Sequence, residues 1–436
     1  MEKPSFRQAF WFWLKLGFIS FGGPAGQIAI MHEFLVEKKK WISESRFLHA
    51  LNYTMLLPGP EAQQLATYTG WLLHGTRGGL VAGILFVLPS MFILLGLITL
   101  YVTYGNIPWV YAMFSGLKPA VVAIVILALI KIGKKSLHHA FHFLLAGSAF
   151  AAMFFFKVPF PLVIIGAMVI AFFARKWLPT LFKKTASATA QMNQDESKYF
   201  INQNSTLKGG GFKAMRLAKQ IGTAMLVWAI PFACFYWLTA DFTFWKEVTL
   251  FFTKAALVTF GGAYAVLQYA AEVTVEQLNW LTELQMLDGL ALGETTPGPL
   301  VMVLVFVGYM AGFNHYGGSV LMGAAGLLVT TFYTFVPCFL FIFAGAPIIE
   351  KTRENPKIKE VLSLVTAAVV GVILNLTIYL GGAVIFPGEI NIETTDWMVV
   401  AWIAVSFLAM YRFKANMIVW IGVSALFGLG RYLVGL

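Results

Sequence analysis

The stretch LPGPEAQQ, Leu57–Gln64, interrupts one apolar run of the chain, and TPGPLVMV, Thr296–Val303, interrupts another. Proline removes a backbone donor and clashes with the preceding helical turn, yet it is well tolerated as the first residue of a new helix. Pro60 and Pro299 are therefore predicted to start helices, and the glycine before each of them allows a tight turn. The chain thus breaks its helices twice with the same tripeptide.

The composition decides what surrounds these breaks. Of 436 residues, 59% are hydrophobic and 12% charged, and apolar stretches long enough to cross a bilayer recur from end to end. We therefore predict an all-α polytopic membrane protein with up to 13 apolar segments. The first apolar run lacks a cleavage signature, so no removable signal peptide is expected. Backbone groups freed at the breaks cannot face lipid and must face protein or a wet cavity.

Charge and cysteine content exclude several classes of function. The net charge is +11, but the basic residues lie mostly in short loops, where positive-inside bias accounts for them, so no nucleic-acid partner is expected. Cys234 and Cys338 lie in apolar surroundings, which predicts neither a disulfide framework nor a metal site. The sequence has no GxGxxG, P-loop, HExxH or GxSxG motif, so we expect no cofactor, no enzymatic activity and no nucleotide-driven pumping.

The second half of the chain repeats the first at an offset of 239 residues, which becomes 248 after a nine-residue insertion in the second copy. Apolar residues match by chance in membrane proteins, so the evidence rests on the glycine, proline, tryptophan and charged pairs. These pairs are Lys15 with Lys254, Phe21–Gly23 with Phe260–Gly262, Glu33 with Glu272, Trp41 with Trp280, Pro58–Pro60 with Pro297–Pro299, and Pro89 with Pro337.

The duplication predicts four regions. They are an N-terminal transporter repeat at 1–176, a basic cytoplasmic linker at 177–219, a linking transmembrane helix at 220–240 and a C-terminal repeat at 241–436. An even number of crossings in the first copy, followed by one more helix, starts the second copy on the opposite side. The two repeats should therefore have inverted topology.

Loop charges test the inversion independently. The loop after the first FGG carries Lys38–Lys40, whereas its counterpart carries Glu272, Glu276 and Glu283 and no basic residue. Equivalent loops of opposite bias lie on opposite membrane faces, which places the N-terminus and the linker in the cytoplasm and the C-terminus outside. Because Lys38–Lys40 and Arg77 then share one face with the N-terminus, the FGG and Pro-Gly-Pro segments are predicted to be re-entrant hairpins of broken helices.

Paired breaks from inverted repeats indicate a binding site near the membrane midplane. Helix N-termini there offer unpaired N–H groups and partial positive charge, which suits an anion. A single Pro-Gly-Pro would often be only a kink, but two in repeat register favour a site. The candidate substrate-binding residues are Lys15, Ser20, Gly22, Gly23, Pro24, Pro58, Gly59, Pro60, Gln63, Gln64, Lys254, Thr259, Gly261, Gly262, Thr295, Thr296, Pro297, Gly298 and Pro299.

Lys15 and Lys254 each lie six residues before an FGG, inside an apolar segment. An intramembrane lysine is a functional hypothesis by default, and a pair related by the repeat would flank a dianion. The alternative for Lys15 is an amine that reaches the interface from near the N-terminal end. Carboxylates near the breaks are the candidates for proton coupling or gating, with solvated loop residues as the alternative, chiefly for the matched pair; they are Glu61, Glu294 and the matched Glu33 and Glu272.

The motifs FGGP (Phe21–Pro24), LPGPEAQQLATYTGW (Leu57–Trp71), FGG (Phe260–Gly262) and TPGP (Thr296–Pro299) resemble the chromate ion transporter family in its long, two-domain form. The resemblance implies a multi-pass protein of the cytoplasmic (inner) membrane that exports chromate and confers chromate resistance. Sulfate, the structural analogue, is implied as a competitor. One departure is Ala263, where the first copy has Pro24.

The residues alone also favour a carrier for a tetrahedral dianion, since opposed helix N-termini and paired lysines fit such an ion. Three alternatives stay open: a carrier of sulfate or another oxyanion, an anion channel, and an intramembrane scaffold or sensor without flux. Besides the ion, the expected partners are membrane lipid and, as a common default, a second copy in a homodimer.

Overall fold

The structure is a computed structural model of the chain, and it describes residues 3–21, 23–55, 57–177, 198–202, 214–239, 241–260, 262–349, 356–386, 391, 393 and 395–435. Within these ranges the architecture is helical, and an isolated bridge between Ile42 and Ile201 is the only strand-like pairing. The prediction of an all-α membrane protein is confirmed. Most of the linker predicted at 177–219 lies outside the described residues.

Sixteen α-helices occur in the described chain. The first copy contains α1 (Phe6–Ile19), α2 (Gly23–His32), α3 (Glu44–Thr54), α4 (Glu61–Tyr104), α5 (Pro108–Ser136), α6 (Ala140–Phe154) and α7 (Phe160–Trp177), and α8 (Ala214–Leu238) links the copies. The second copy contains α9 (Phe242–Val258), α10 (Ala263–Ala271), α11 (Glu283–Thr295), α12 (Val303–His315), α13 (Val320–Ile349), α14 (Pro356–Ile385), α15 (Trp397–Arg412) and α16 (Met417–Val434). Turns of π-helix at Glu33–Lys38 and Glu272–Gln277 extend α2 and α10 at matching positions.

Six helices of the described chain are long and apolar enough to span a bilayer. They lie at Glu61–Tyr104, Pro108–Ser136, Ala214–Trp237, Val320–Gly345, Ser363–Ile385 and Met417–Val434, and four shorter apolar helices accompany them. The apolar window of α8 has no buried residue. The linking helix therefore runs along the periphery of the protein, where lipid would cover it.

Each FGG segment folds as a hairpin. With 14 residues, α1 is about 21 Å long, which is shorter than the roughly 30 Å hydrocarbon core. The ring of Phe12, before the first break, lies 5.2 Å from the ring of Trp41, which follows α2. The equivalent rings of Phe251 and Trp280 lie 5.7 Å apart. Because these contacts join residues far along the chain on either side of the break, the chain turns back at each FGG, as predicted.

Each Pro-Gly-Pro segment also folds back. In the second copy α11 and α12 run side by side, because a Cβ on Gly289 would lie 2.3 Å from the ring of Phe306. In the first copy α3 packs on the start of α4 through Tyr53 and Tyr68, whose rings are 5.3 Å apart.

The helix after each Pro-Gly-Pro ends in a second tight turn. In the first copy this turn lies inside α4, at His74 and Gly75, where the φ angle of Gly75 is +65°. It divides α4 into a shorter helix before the turn and a longer one after it. The chain then returns along itself, since a Cβ on Gly70 would lie 2.5 Å from the carbonyl oxygen of Gly78. In the second copy α12 and α13 make the same close antiparallel pair, in which a Cβ on Gly326 would lie 2.1 Å from the carbonyl oxygen of Gly308.

Contacts between the copies show that their topology is inverted. Asp288, near the start of α11, accepts a hydrogen bond of 2.9 Å from Tyr101, near the end of α4. Tyr53 of α3 donates to the carbonyl oxygen of Phe341 at 3.1 Å, in the second half of α13. The Tyr104 end of α4 is thus the end at which α11 begins, and the re-entrant helices of the two copies enter from opposite sides.

The copies also exchange their last helices. The α6–α7 pair of the first copy packs against α14 of the second, and the α15–α16 pair of the second packs against α5 of the first. Glycine allows the closest approach, because a Cβ on Gly428 of α16 would lie 2.1 Å from the carbonyl oxygen of Ala112 in α5. The exchange joins the two copies into one body around the central breaks.

We expect Gly428→Ala to lower the thermal unfolding temperature of the purified protein by several degrees, because the added methyl group must push α16 away from α5. Gly430→Ala, two residues further along the same helix, has no atom within 4 Å of its new Cβ and should leave the temperature unchanged. Equal unfolding temperatures for the two variants in the same detergent would contradict this packing.

Candidate functional site

The breaks of the two copies are joined by a reciprocal pair of hydrogen bonds. The amide of Gly59, in the first Pro-Gly-Pro, donates to the carbonyl oxygen of Thr259 at 2.8 Å. The amide of Gly298, in the second, donates to the carbonyl oxygen of Ser20 at 2.8 Å. Ser20 and Thr259 directly precede the two FGG turns, so each Pro-Gly-Pro turn is bonded to the FGG turn of the other copy. Each break of one copy is therefore bonded to a break of the other copy, and we call these two symmetry-related contacts the junction.

The packing of the two central glycines is reciprocal as well. A Cβ on Gly298 would lie 1.8 Å from Ser90 Oγ of α4, and a Cβ on Gly59 would lie 2.8 Å from Cys338 Sγ of α13. Ser90 and Cys338 occupy equivalent positions at the offset of 248. The φ angles are +121° at Gly59 and +98° at Gly298, which other residues rarely adopt. Each turn thus requires glycine for its conformation and for its contact with the other copy.

Helix starts gather around this junction. Three of them, after Pro60, Gly262 and Pro299, have no side chain that caps the first turn. The fourth, at Gly23, begins with a φ angle of +66°. Unpaired amides and the helix dipoles make such a group of N-termini attractive to an anion. Gly22 and Gly261, which were also predicted to take part, lie outside the described residues.

Buried amide side chains hold the junction on the side of the first copy. Gln64 donates to the carbonyl oxygen of Pro58 at 2.6 Å, and Gln27 donates to the carbonyl oxygen of Gly298. Both side chains are almost completely buried. The second copy has Val266 and Val303 at the equivalent positions, so the polar lining is asymmetric. Gln27 was missed by the sequence analysis, although a glutamine four residues after FGG in an apolar helix was a usable signal.

Two hydroxyl groups remain available for a ligand. Ser20 and Ser90 are fully buried, and neither hydroxyl has a hydrogen-bond partner in the described chain. Buried polar groups in proteins almost always have a partner, so these two hydroxyl groups are candidate donors to a bound anion. Ser20 was predicted as a site residue, whereas Ser90 follows Pro89 inside a long helix and was not singled out.

The predicted hydroxyls of the second copy are used differently. Thr259 donates to the carbonyl oxygen of Ala255 at 2.5 Å, and Thr295 and Thr296 donate to carbonyl oxygens in the last turn of α11 at 2.8 and 3.0 Å. They satisfy the carbonyl groups that a broken helix leaves open. Gln63 likewise bonds within its own helix, to Thr67 at 3.2 Å.

Each of the two copies matches the same known protein family. The chromate transporter family matches residues 7–172 and 246–429, one match for each copy. The chain belongs to this family. It is therefore a transporter and not an enzyme, and the predicted recognition is confirmed.

Relatives of this transporter match along nearly their whole length. A chromate transport protein of Cupriavidus metallidurans is 29% identical over 426 residues, which cover 98% of this chain and 93% of the relative. A chromate transport protein of Pseudomonas aeruginosa is 29% identical and covers 97% and 92% of the two chains. An uncharacterized transporter of Methanocaldococcus jannaschii is 27% identical and covers 98% and 96%. No solved structure matches the chain.

The two predicted lysines lie away from the junction. Lys15 and Lys254 are both exposed, at equivalent positions on α1 and α9. The Lys15 amine lies 5.7 Å from the centroid of the Phe34 ring, and its neighbours on the exposed face include Trp11 and Phe18. Their role as flanking charges stays a prediction, and the structure does not bring either amine to the buried turns.

The four predicted carboxylates differ in their surroundings. Glu294, two residues before Thr296, is buried and accepts a hydrogen bond of 2.6 Å from Tyr264 at the start of α10. Glu61 is the first residue of α4 and is half-buried. Glu33 forms a solvated ion pair with Lys38 at 2.5 Å, and Glu272 is half-buried in its π-helical turn. Glu294 is therefore the carboxylate best placed to act at the junction.

The structure adds one charged pair that the sequence analysis overlooked. Lys118 of α5 and Asp288 of α11 approach to 3.6 Å, and both side chains are buried. A lysine within an apolar span was a weak signal for Lys118, and the residue pattern did not single out Asp288. The pair lies between the two copies.

Proposed function

We propose that this transporter is a secondary carrier that exports chromate, a tetrahedral oxyanion, across the cytoplasmic membrane. The reciprocal hydrogen bonds of Gly59 and Gly298 carry the proposal, because they bring the helix breaks of the two inverted repeats into direct contact at buried positions. The relatives from Cupriavidus metallidurans and Pseudomonas aeruginosa are chromate transport proteins, which supports chromate as the cargo. Chromate resistance would follow from export.

The anion would be held by donors and dipoles rather than by the predicted paired lysines. The amides at the starts of α4 and α10 and of the turn Leu300–Met302 supply N–H groups, and Ser20 and Ser90 supply free hydroxyls. A dianion with four oxygens can accept from several directions at once, which suits donors that converge from two copies. We place the bound ion beside the Gly59 and Gly298 turns.

The membrane potential favours export of such an ion. We assign the N-terminus and the linker to the cytoplasm and the C-terminus to the outside, since Lys38–Lys40 are exposed or half-buried at the inner end of the first copy. An inside-negative potential is worth about 2.3 kcal/mol per charge per 100 mV, so a dianion gains roughly 4 to 5 kcal/mol on leaving. A carrier without ATP can therefore work in this direction.

Coupling to protons or to a counter-anion is a second part of the proposal. Glu294 is buried beside the junction and accepts a hydrogen bond from the hydroxyl of Tyr264. Glu61 lies in the first turn of α4, where the helix dipole stabilises a negative charge. Its carboxylate therefore competes with an incoming anion for the positive end of this helix. Protonation of either carboxyl group would reduce that competition, which links proton uptake to anion binding.

Two alternatives remain for the cargo and the mode of transport. A sulfate or other oxyanion carrier would use the same donors, because these ions share charge and shape. An anion channel would also fit broken helices in inverted repeats. Saturable flux with counter-transport supports a carrier, and competition by excess sulfate measures how finely chromate is selected.

The first experiment is chromate flux in proteoliposomes under an imposed membrane potential, with and without excess sulfate. Saturable flux that rises with the potential supports the proposal. Absence of chromate flux from folded protein would overturn chromate as the cargo, and the same assay with sulfate would then test the alternative oxyanion.

The same assay decides the role of the two exposed lysines. Because neither amine reaches the junction, we expect Lys15→Ala and Lys254→Ala to change the flux by less than about threefold, since each alters only a surface charge. A larger loss in both variants, with normal yield and unfolding temperature, would return the paired lysines to the transport path.

A further inference from the structure

A buried ion pair connects the two copies away from the four breaks. The Lys118 amine lies 3.6 Å from Asp288 Oδ1, and the hydroxyl of Tyr101 donates to Asp288 Oδ2 at 2.9 Å. The exposed fraction is 5% for Lys118 and 4% for Asp288. Among the side chains that the structure describes, Lys118 is the only buried lysine. Lys118 therefore has a buried amine, whereas the amines of Lys15 and Lys254 are exposed.

The fold itself does not require this pair. The repeat places His49 at the position equivalent to Asp288 and Thr366 at the position equivalent to Lys118, so the symmetry-related contact cannot contain the same charges. A buried ion pair is also a poor way to gain stability, since a well-packed apolar pair is often as stable or more stable. Ionisable side chains within membrane segments usually mark a transport path. These points favour a role in transport.

The pair lies on the outer side of the junction. Lys118 is ten residues after Pro108, the first residue of α5, which places it about 15 Å along the helix from its outer end. Asp288 lies on α11, the helix that continues through Glu294 into the second Pro-Gly-Pro turn. The amine also lies 5.5 Å from the ring centroid of Tyr111, a residue that lines a cleft at the outer end of α5 and α16.

We propose that Lys118 forms a second oxyanion subsite, between the junction and the outer cleft, and that Asp288 is its resident counter-ion. The inference rests on the proposed function. The Asp288 carboxylate pairs with the Lys118 amine while no anion is bound there, and a departing dianion displaces the carboxylate from the amine. Asp288 then keeps its hydrogen bond from Tyr101, so the displaced carboxylate is not left without a partner. The anion thus passes a buried positive charge without being trapped there.

The looseness of the contact suits this exchange. At 3.6 Å the nitrogen and oxygen are within ion-pair range but beyond the 2.7–2.9 Å typical of a strong charge-assisted hydrogen bond. Oδ1 of Asp288 has no hydrogen-bond partner in the described chain. An oxyanion with a shorter contact to the amine can therefore compete with the carboxylate for Lys118.

The test is a double-mutant cycle on the binding of radiolabelled sulfate and of chromate to the full-length protein in detergent. It compares the wild type with Asp288→Asn, Lys118→Gln and the double variant. Asp288→Asn removes the competing carboxylate, so we expect binding about tenfold tighter, together with slower anion release. The double variant is neutral at both positions and should lose this gain completely, while it avoids an unpaired buried charge.

A matched control is available at the same membrane face. Asp241 and His315 form a partly exposed pair at 2.6 Å that does not line the outer cleft, and Asp241→Asn removes the carboxylate charge while keeping an acceptor for the first turn of α9. We expect anion affinity to be unchanged in this control. Equal affinity of Asp288→Asn and the double variant would overturn the subsite, because Lys118 would then contribute nothing once its partner is gone.

The two proposals fail in different ways. Wild-type protein that transports and binds the anion, but shows no coupling in the cycle, overturns the Lys118 subsite and leaves the carrier intact. Wild-type protein that neither binds nor transports chromate or sulfate overturns the proposed function, and the subsite with it. Unfolding temperatures and gel filtration of all four proteins identify a variant that has misfolded. If Lys118→Gln alone misfolds, the anion affinity of the folded double variant is compared with that of Asp288→Asn, and this comparison decides whether Lys118 binds the anion.

Discussion

Replacing Gly298 with alanine should abolish chromate flux. The new Cβ would lie 1.8 Å from Ser90 Oγ, and the φ angle of +98° is strained for any residue with a side chain. Such strain typically costs about 1–3 kcal/mol, before the clash with α4 is added. The turn would have to move, which breaks the hydrogen bond to Ser20 and separates the helix starts. We expect the rate in proteoliposomes to fall at least 100-fold.

Two further variants show whether the loss comes from the turn. Gly59→Ala affects the symmetry-related turn, where the Cβ would lie 2.7 Å from Gln64 and 2.8 Å from Cys338, and it should also inactivate the protein. Gly96→Ala lies within α4 with no atom within 4 Å of its Cβ, so it should transport normally. Near-normal flux in folded Gly298→Ala protein would show that the junction is not the transport site.

Glu294→Gln should separate anion binding from coupled transport. The glutamine keeps the size of the buried side chain and an acceptor for Tyr264, but it can neither carry a negative charge nor release a proton. We expect chromate binding to be retained, the rate of net export to fall about tenfold, and the rate to become nearly independent of pH. Flux measured across several pH values, with the potential clamped, reports the rate and its pH dependence, and equilibrium binding of chromate to the purified protein reports the affinity.

Glu33→Gln is the control for a general effect of removing a carboxylate. Glu33 is solvated and paired with Lys38, and loss of an exposed ion pair has a small effect. Its pH profile should match that of the wild type, and Glu61→Gln should fall between the two because Glu61 is half-buried. If Gln at both Glu61 and Glu294 leaves the flux unchanged at every pH, carboxylate coupling at the junction is wrong.

Much of this architecture was accessible from residue patterns. The offset of 239 residues predicted the duplication, and the opposite charge of the loops after the two FGG motifs predicted the inversion. The positions of Lys38–Lys40 and Arg77 predicted re-entrant hairpins, which the contacts of Phe12 with Trp41 and of Phe251 with Trp280 support. These features could be predicted because glycine, proline and loop charge act locally, through backbone conformation and the cost of moving charge across a bilayer.

The polar residues of the site were less accessible. A lysine in an apolar segment looks the same in sequence at position 15, 118 or 254, yet only Lys118 is buried. Burial depends on which face of a helix is covered by helices hundreds of residues away. Likewise, the hydroxyl of Thr259 donates to a carbonyl oxygen of its own helix, whereas the hydroxyl of Ser20, at the equivalent position, has no hydrogen-bond partner in the described chain.

Residue patterns alone are enough to place the helix breaks and to predict that they come in inverted pairs, because Pro-Gly-Pro and FGG act through the local backbone conformation. Which breaks are in contact depends on how the helices of the two copies pack. The amides of Gly59 and Gly298 find their acceptors in the opposite copy, and Lys118 finds Asp288 there too. Those partners are selected by the packing of helices distant in sequence, since a buried polar group must be satisfied by whatever neighbour the fold supplies.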